Sequence, residues 1–457
     1  MRKSAILSLI SFCGVALCLM SCGEDRSWQY YEKIQTKTWM YQVMQQAYLY
    51  YEDLPAEDGL NFFSKPAEFL KKVASPKDGK NGITFSHVDS IVAASRANSD
   101  YPNFGFEGAM VKKDEVNAIR VIYVQPNSPA MESGIKRGDW IIAVDSMKIG
   151  GNDYDKYVRR PAQSYRFMFG VPTDTTGFDT LDVEKTLQPR IIEEKNILCS
   201  RKITSGSRSA YYILYNEFGR GDEMAWKALL RQMKGQQFDD IILDLRYNPG
   251  GYVNVAQYVS TNIAPREAIG NTFVRLMPNK DLGLKEENII FDEKLLDNGA
   301  PLQYENLYVV ATGNSASASE ALINSLRPFM KGRMYQVGGN TFGKNVAQSL
   351  FTDEAHAPML EFWLTTFTIA NHEGFGDYFT NGLEPDCKAT ESFAGPLADF
   401  GTEQDLLVAP ILKHMATGSF DASANNEPAE TLSRSLANKA VIVYDPFKNK
   451  IKSLKYN

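Results

Sequence analysis

Residues 307–326, LYVVATGNSASASEALINSL, pass from a continuous apolar run through a small polar turn into a helical pattern. Leu307–Ala311 is short and β-rich, as a buried strand should be. Ser317-Ala-Ser-Glu320 fits the capping box S-x-x-E, and Ala321, Leu322 and Leu326 follow at helical spacing. The stretch therefore reads as strand, turn and helix, with serines at 315, 317 and 319. A helix cap accounts for the pattern by itself. Whether one of the hydroxyls also does chemistry depends on what lies elsewhere in the chain.

The chain has 457 residues, 44% hydrophobic and 23% charged, with a net charge of −6. This is ordinary globular composition with room for two or three domains. The acidic balance and the lack of a long basic run argue against a nucleic-acid surface. Met1-Arg-Lys3 followed by apolar residues to Met20 reads as an export signal, too short for a membrane span. It ends Leu19-Met-Ser-Cys22, which resembles the lipobox of bacterial lipoproteins, so residues 1–21 are expected to be removed and Cys22 lipidated. The mature chain is then expected in the cell envelope, at the outer membrane, held to it through the lipid. Cys13 and Cys18 leave with the signal, and Cys199 and Cys387 remain without any C-x-x-C spacing.

Four further segments follow. Over 22–98, apolar residues from Trp28 to Tyr50 recur at steps of three and four, and Pro66–Val73 repeats the pattern, which predicts a small helical domain. Over 101–192 the pattern changes to strands. Ser128-Pro-Ala opens a short helix, Gly134 stops it, Lys136-Arg-Gly-Asp139 makes a tight turn, and Trp140–Val144 is a strand. This order resembles PDZ domains, with a helix expected over 152–164 and closing strands at 166–170 and 179–185. The resemblance implies binding of a chain terminus as an added strand, with the loop carrying Phe104, Gly105, Phe106 and Gly108 supplying backbone amides. Over 200–415, strand-like runs at 210–215, 240–245 and 307–311 alternate with helical patterns, which argues for α/β layers. Residues 416–457 form a tail with a polar linker at 419–426 and one late strand at 441–444.

Two strands end in unusual turns, Asp244-Leu-Arg-Tyr-Asn-Pro-Gly-Gly251 and Thr312–Glu320, and Gly338-Gly-Asn-Thr-Phe-Gly-Lys-Asn-Val-Ala-Gln348 lies downstream. Together with the domain order and a Gly382-Leu-Glu-Pro-Asp386 turn, these resemble the carboxyl-terminal (tail-specific) processing proteases, serine peptidases of family S41. The resemblance implies an α+β multidomain chain with a crotonase/ClpP-like α/β peptidase core. It implies Ser317 as nucleophile, Lys344, 27 residues on, as general base, and Gln348 as its partner. The oxyanion donors would be the Ala318 N–H and a glycine of the 248–251 loop, either Gly250 or Gly251. The implied substrate is a protein or peptide with an accessible C-terminus, and no cofactor or metal is needed. Gly339 and Asn345 depart from the acidic residue and the glycine that members often carry around the lysine.

The chemistry agrees with these residue types. A serine hydroxyl needs a base to take its proton, and a lysine serves only when burial pulls its pKa down from about 10.4. Phe342, Gly343 and Val346 offer an apolar or small setting, and a glutamine orients an amine without adding charge. Four dispersed histidines, His87, His356, His372 and His414, make no metal-ligand spacing. No G-x-S-x-G elbow or P-loop occurs, and the one S-x-x-K, Ser133–Lys136, falls on the helix stop. The competing expectation is a non-catalytic PDZ-bearing scaffold with a dead peptidase core; the joint presence of Ser317, Lys344 and Gln348 speaks against it.

Overall fold

The computed structural model describes residues 27–90, 101–173, 177–420 and 440–450. The expected export signal, Cys22 and parts of the expected linker and tail lie outside the described residues. Among the described residues no helix is long and apolar enough to cross a membrane.

The N-terminal segment opens with helix α1 (Ser27–Ala47) and, after two short turns around Pro55, helix α2 (Pro66–Val73). Met40 and Met44 of α1, Tyr48 just after it, and Phe69, Leu70 and Val73 of α2 share one core cluster. Trp39, Val43, Ala47 and Tyr50 of the predicted apolar stripe pack against this cluster, whereas Tyr31 is exposed. A hairpin, β1 (Gly79–Lys80) and β2 (Ile83–Thr84), and the strand β3 (His87–Ser90) complete the segment. Helical periodicity gave no sign of these strands, which are only two to four residues long.

The PDZ portion contains β4 (Phe106–Lys113), β5 (Val116–Val124), the short helix α3 (Pro129–Glu132), β6 (Trp140–Val144), β7 (Met147–Lys148), β8 (Tyr165–Pro172) and β9 (Phe178–Leu187). Ser128 caps α3 by accepting from Met131 N at 3.2 Å, and Gly134 ends it at φ +73°. The helix expected over 152–164 is shortened to one wide turn, Asp155–Arg159. Pro161 explains the shortening, because the residue before a proline is driven out of helical backbone, and Arg160 sits at φ −138°, ψ 59°.

The α/β core runs β10 (Ile197–Ser205), β11 (Arg208–Tyr215), α4 (Glu223–Lys234), β12 (Asp240–Asp244), α5 (Val253–Ile263), β13 (Thr272–Pro278), β14 (Glu287–Ile290), β15 (Asn306–Ala311), α6 (Ala318–Leu326), β16 (Met334–Gly338), β17 (Val346–Asp353), β18 (Ala357–Ala370), β19 (Cys387–Lys388) and α7 (Ala409–Thr417). One sheet has the order β10-β11-β12-β15-β16-β19, parallel from β11 onward. The central strands β11, β12 and β15 are buried on both faces, which is why they read as nearly unbroken apolar runs. Tyr211, Ile213, Ile241, Leu243, Leu307 and Val309 face α4, α5 and α6. The alternate residues Tyr212, Leu214, Ile242, Tyr308 and Val310 face α7. A second sheet, β14-β13-β18-β17, accepts β3 on β18, so the N-terminal segment is sewn into the core.

The last described elements are β20 (Ala440–Tyr444) and α8 (Pro446–Lys450). The late strand expected at 441–444 is present, and it joins the PDZ sheet, whose order is β20-β4-β5-β6-β8-β9. Cys199 and Cys387 are both free thiols.

Candidate active site

The site forms at the carboxyl ends of β12, β15 and β16, where loops from three neighbouring parallel strands converge. Open α/β sheets place ligands at this end. The loops are tied together before any catalytic group is considered. Ala316 N donates to Asn248 O at 3.1 Å and Phe342 N to Ser315 O at 2.9 Å. The Ser315 hydroxyl donates to Leu245 O at 2.7 Å and that of Ser319 to Asn248 O at 3.0 Å. Two of the three serines at 315, 317 and 319 are therefore spent on bracing the loop after β12.

Ser317 differs from both. It is 2% exposed and stands at φ 60°, ψ −108°, a left-handed backbone that costs an L side chain about 1–3 kcal/mol and collects at functional sites. Its N–H donates to Glu320 Oε2 at 2.7 Å, the reciprocal half of the capping box. Glu320 does more than cap. Fully buried, it also accepts from Thr341 Oγ1 at 2.5 Å, Gly343 N at 2.6 Å and Lys344 N at 2.8 Å. One carboxylate thus fixes the Ser317 turn against the Lys344 turn. Burial pushes its pKa up and the four donors oppose that rise.

Lys344 is 1% exposed, and desolvation lowers its amine to about 7, with Asp78 and Glu320 pulling weakly the other way. Its Nζ donates to Gln348 Oε1 at 2.8 Å and lies 5.1 Å from the centre of the Phe85 ring. The Gln348 amide in turn donates to Phe85 O. The Lys344 turn is clamped from outside by Lys80, whose amine donates to Phe342 O at 2.6 Å, Thr380 O at 3.0 Å and Phe379 O. Leu383 N donates to Thr341 Oγ1 at 2.7 Å from the Gly382–Asp386 turn. Buried Asp78, raised by desolvation to about 6, accepts from Tyr48 and Thr365 hydroxyls at 3.0 and 2.6 Å.

The two loop glycines are placed differently. A Cβ on Gly250 would lie 2.8 Å from Ala316 O and 2.9 Å from both Ala318 N and Ser317 Cβ, whereas one on Gly251 would strike Phe218 O at 2.2 Å. Gly250 N donates to Asn248 Oδ1 at 2.9 Å, and Gly250 O accepts from Phe218 N at 2.8 Å. Carbonyl and N–H point in opposite directions across a trans peptide, so the Gly251 N–H faces away from Phe218.

In the PDZ loop, Phe104 and Phe106 are core side chains, packed with Phe167 at ring distances of 5.2 and 6.0 Å. Gly105 is required: at φ +77° its Cβ would lie 2.1 Å from Ser128 Cβ, and its N–H is taken by Asn103 Oδ1 at 2.8 Å. Gly108 sits at a bulge in the β4–β5 pairing. Cys22 lies outside the described residues. Among the described residues no His, Cys, Asp and Glu group could hold a metal ion.

Sequence reasoning read Glu320 only as a cap and passed over Asp78, Lys80 and Phe85. They reach the site through tertiary contacts with no local signature. It also missed Arg137 in the PDZ turn, which donates to Ala398 O at 2.6 Å and Tyr247 Oη at 3.1 Å and pairs with Glu391.

A family model described as peptidase family S41 matches residues 210–389, and one described as the peptidase S41 N-terminal domain matches 35–87. Residues 35–87 and 210–389 are thus similar to the two parts of peptidase family S41. A PDZ domain model matches residues 120–164. The chain is similar to a carboxyl-terminal-processing protease of Picosynechococcus, 28% identical over 294 residues, covering 64% of this chain and 65% of that one. A carboxyl-terminal-processing protease of Synechocystis is 26% identical over 237 residues, covering 52% of each. The match thus spans less than two thirds of the length of these curated relatives. A crystal structure assigned as an S41 protease from Bacteroides fragilis is 26% identical with a TM-score of 0.71, covering 83% of this chain and 97% of that one. The architecture is therefore a small helical N-terminal domain, a PDZ domain and an S41 core.

Proposed function

We propose that this chain is a serine endopeptidase of the carboxyl-terminal-processing type, working through Ser317 and Lys344. The observation that carries the reading is the buried Lys344 amine, lowered to about 7 and held by Gln348 in a site that one carboxylate ties to Ser317. A neutral amine takes the Ser317 proton as the hydroxyl attacks the scissile carbonyl. The ammonium so formed returns the proton to the leaving amine, and water then hydrolyses the acyl ester on Ser317 with Lys344 again as base. Gln348 orients the amine while adding no charge that would raise its pKa.

The developing oxyanion is assigned to the Ala318 N–H, at the start of α6, and to the loop of Gly250 and Gly251. Gly251 is the better donor, since the Gly250 N–H is held by Asn248. Gly250 serves by letting the loop approach Ser317 and Ala318.

The substrate is a polypeptide recognised near its C-terminus, with the PDZ domain as the receiving module. Leu19-Met-Ser-Cys22 supports lipidation of Cys22 and a place in the cell envelope, at the outer membrane. Fractionation tests this: a Cys22→Ala protein should leave the membrane, and one that stays would overturn the anchor. Turnover of a tagged peptide tests the dyad. Ser317→Ala and Lys344→Ala should each lose at least a thousandfold in kcat/KM; full turnover by either variant would reject the role assigned to that residue.

A further inference from the structure

The PDZ sheet without its last strand has two edges, β4 and β9. The β4 edge is the one that leads out of the Asn103–Gly108 loop, and it is already filled. β20, from far along the same chain, pairs antiparallel with β4, placing Ala440 opposite Lys113, Val441 opposite Lys112, Ile442 opposite Val111 and Tyr444 opposite Met110. Adding an extended segment to a free edge is how PDZ domains take ligands. The pairing is backed by side chains. The Tyr444 ring lies 4.1 Å from that of Tyr154, at the start of the wide turn, and Arg159 covers both rings at 5.6 and 5.5 Å. Tyr444 packs on the PDZ core.

We infer that residues 440–450 are an internal ligand of the PDZ domain, and that an incoming polypeptide binds there by displacing them. The strand is suited to exchange. Val441 and Val443 are 65% and 51% exposed, so only part of the segment is held by burial. It also leaves the edge early: Tyr444 is its last paired residue, and Phe106–Ala109, the part of β4 nearest the loop, has no β20 partner. A longer strand running in the same direction would gain those positions and end at the loop. The partner is thus an extended polypeptide with β-branched residues followed by an aromatic side chain in the place of Tyr444.

The same segment reaches the peptidase core. After Pro446 the chain turns into α8, and Phe447, 2% exposed, stacks on Tyr247 at 4.3 Å and an interplanar angle of 4°. Tyr247 lies in the 244–251 loop that carries Gly250 and Gly251, and its hydroxyl bonds Glu391. Displacing the segment therefore removes a contact from that loop.

The test is a binding measurement, independent of whether the chain is a peptidase. A fluorescein-labelled peptide of residues 439–450, KAVIVYDPFKNK, is titrated into three Ser317→Ala proteins. These are the full chain, the chain stopped after Gly418, and the full chain with Lys112→Cys and Val441→Cys oxidised to lock β20 in place. The expected affinity is highest for the shortened chain, at least tenfold lower for the full chain, and lower again for the locked chain, with recovery on reduction. Equal affinity for locked and reduced chains would overturn the inference, as would no binding by a shortened chain that melts as cooperatively as the full one. Should the shortened chain fail to fold, the locked-against-reduced comparison decides alone.

Discussion

At the residue scale, the proposed reaction depends on the protonation of one amine. Lys344 is pulled to about 7 by desolvation, so the base-competent fraction rises tenfold per pH unit below that value and levels off above it. The kcat/KM of the wild-type protein is expected to follow that limb. Gln348→Glu puts a carboxylate where an amide now accepts the Lys344 proton at 2.8 Å. An adjacent negative charge favours the ammonium, so the limb should move at least one unit alkaline, with about tenfold less activity at pH 7. An unmoved limb would mean that another group sets it. Gly250→Ala places a methyl within 2.9 Å of Ala318 N and Ser317 Cβ at a backbone φ of +111°. Peptidase turnover should fall at least a hundredfold while thermal unfolding stays cooperative. The sequence pointed to Ser317, Lys344 and Gln348 through their motif companions. The two glycines could not be told apart there, because the distinction lies in which neighbouring strand each one faces.

At the scale of elements, the long apolar strands β11, β12 and β15 and the S-x-x-E helix start were readable from periodicity and capping. The short strands β1–β3 were not, since two to four residues carry no period. Their contribution is nonetheless direct: Phe85, just after β2, lays its ring beside the Lys344 amine and its carbonyl on Gln348. Phe85→Ala removes apolar cover from the amine and admits water. Less desolvation means a higher lysine pKa, so the pH limb should shift alkaline without any new charge, and stability should fall by about 3 kcal/mol. A pH profile superimposable on wild type would show that the N-terminal segment merely packs. The helix expected over 152–164 failed for a local reason, Pro161, whose effect on Arg160 the periodicity did not weigh.

At the scale of the molecule, PDZ domain and core are joined through a buried charge network. Arg246 is wholly buried between Asp244, Asp405 and Glu391, at 2.5, 2.7 and 2.8 Å, and Glu391 is shared with Arg137 of the PDZ turn. Removing one member strands the others: Arg246→Ala should cost about 3–5 kcal/mol, read as a lowered midpoint in urea, and a midpoint within error of wild type would contradict the network's role. None of this was visible in the sequence, where Arg137 and Glu391 stand 254 residues apart. The domain order was visible, because each unit has its own pattern; their docking was not, because it depends on single long side chains. The account as a whole rests on Ser317 being activated by Lys344. The most direct measurement is the rate of fluorophosphonate labelling against pH, with the modified residue located by mass spectrometry. The account predicts a single adduct on Ser317, forming along a limb near pH 7 and lost in Ser317→Ala and Lys344→Ala. An adduct that persists in Ser317→Ala, or a rate in Lys344→Ala equal to that of wild type, would contradict it.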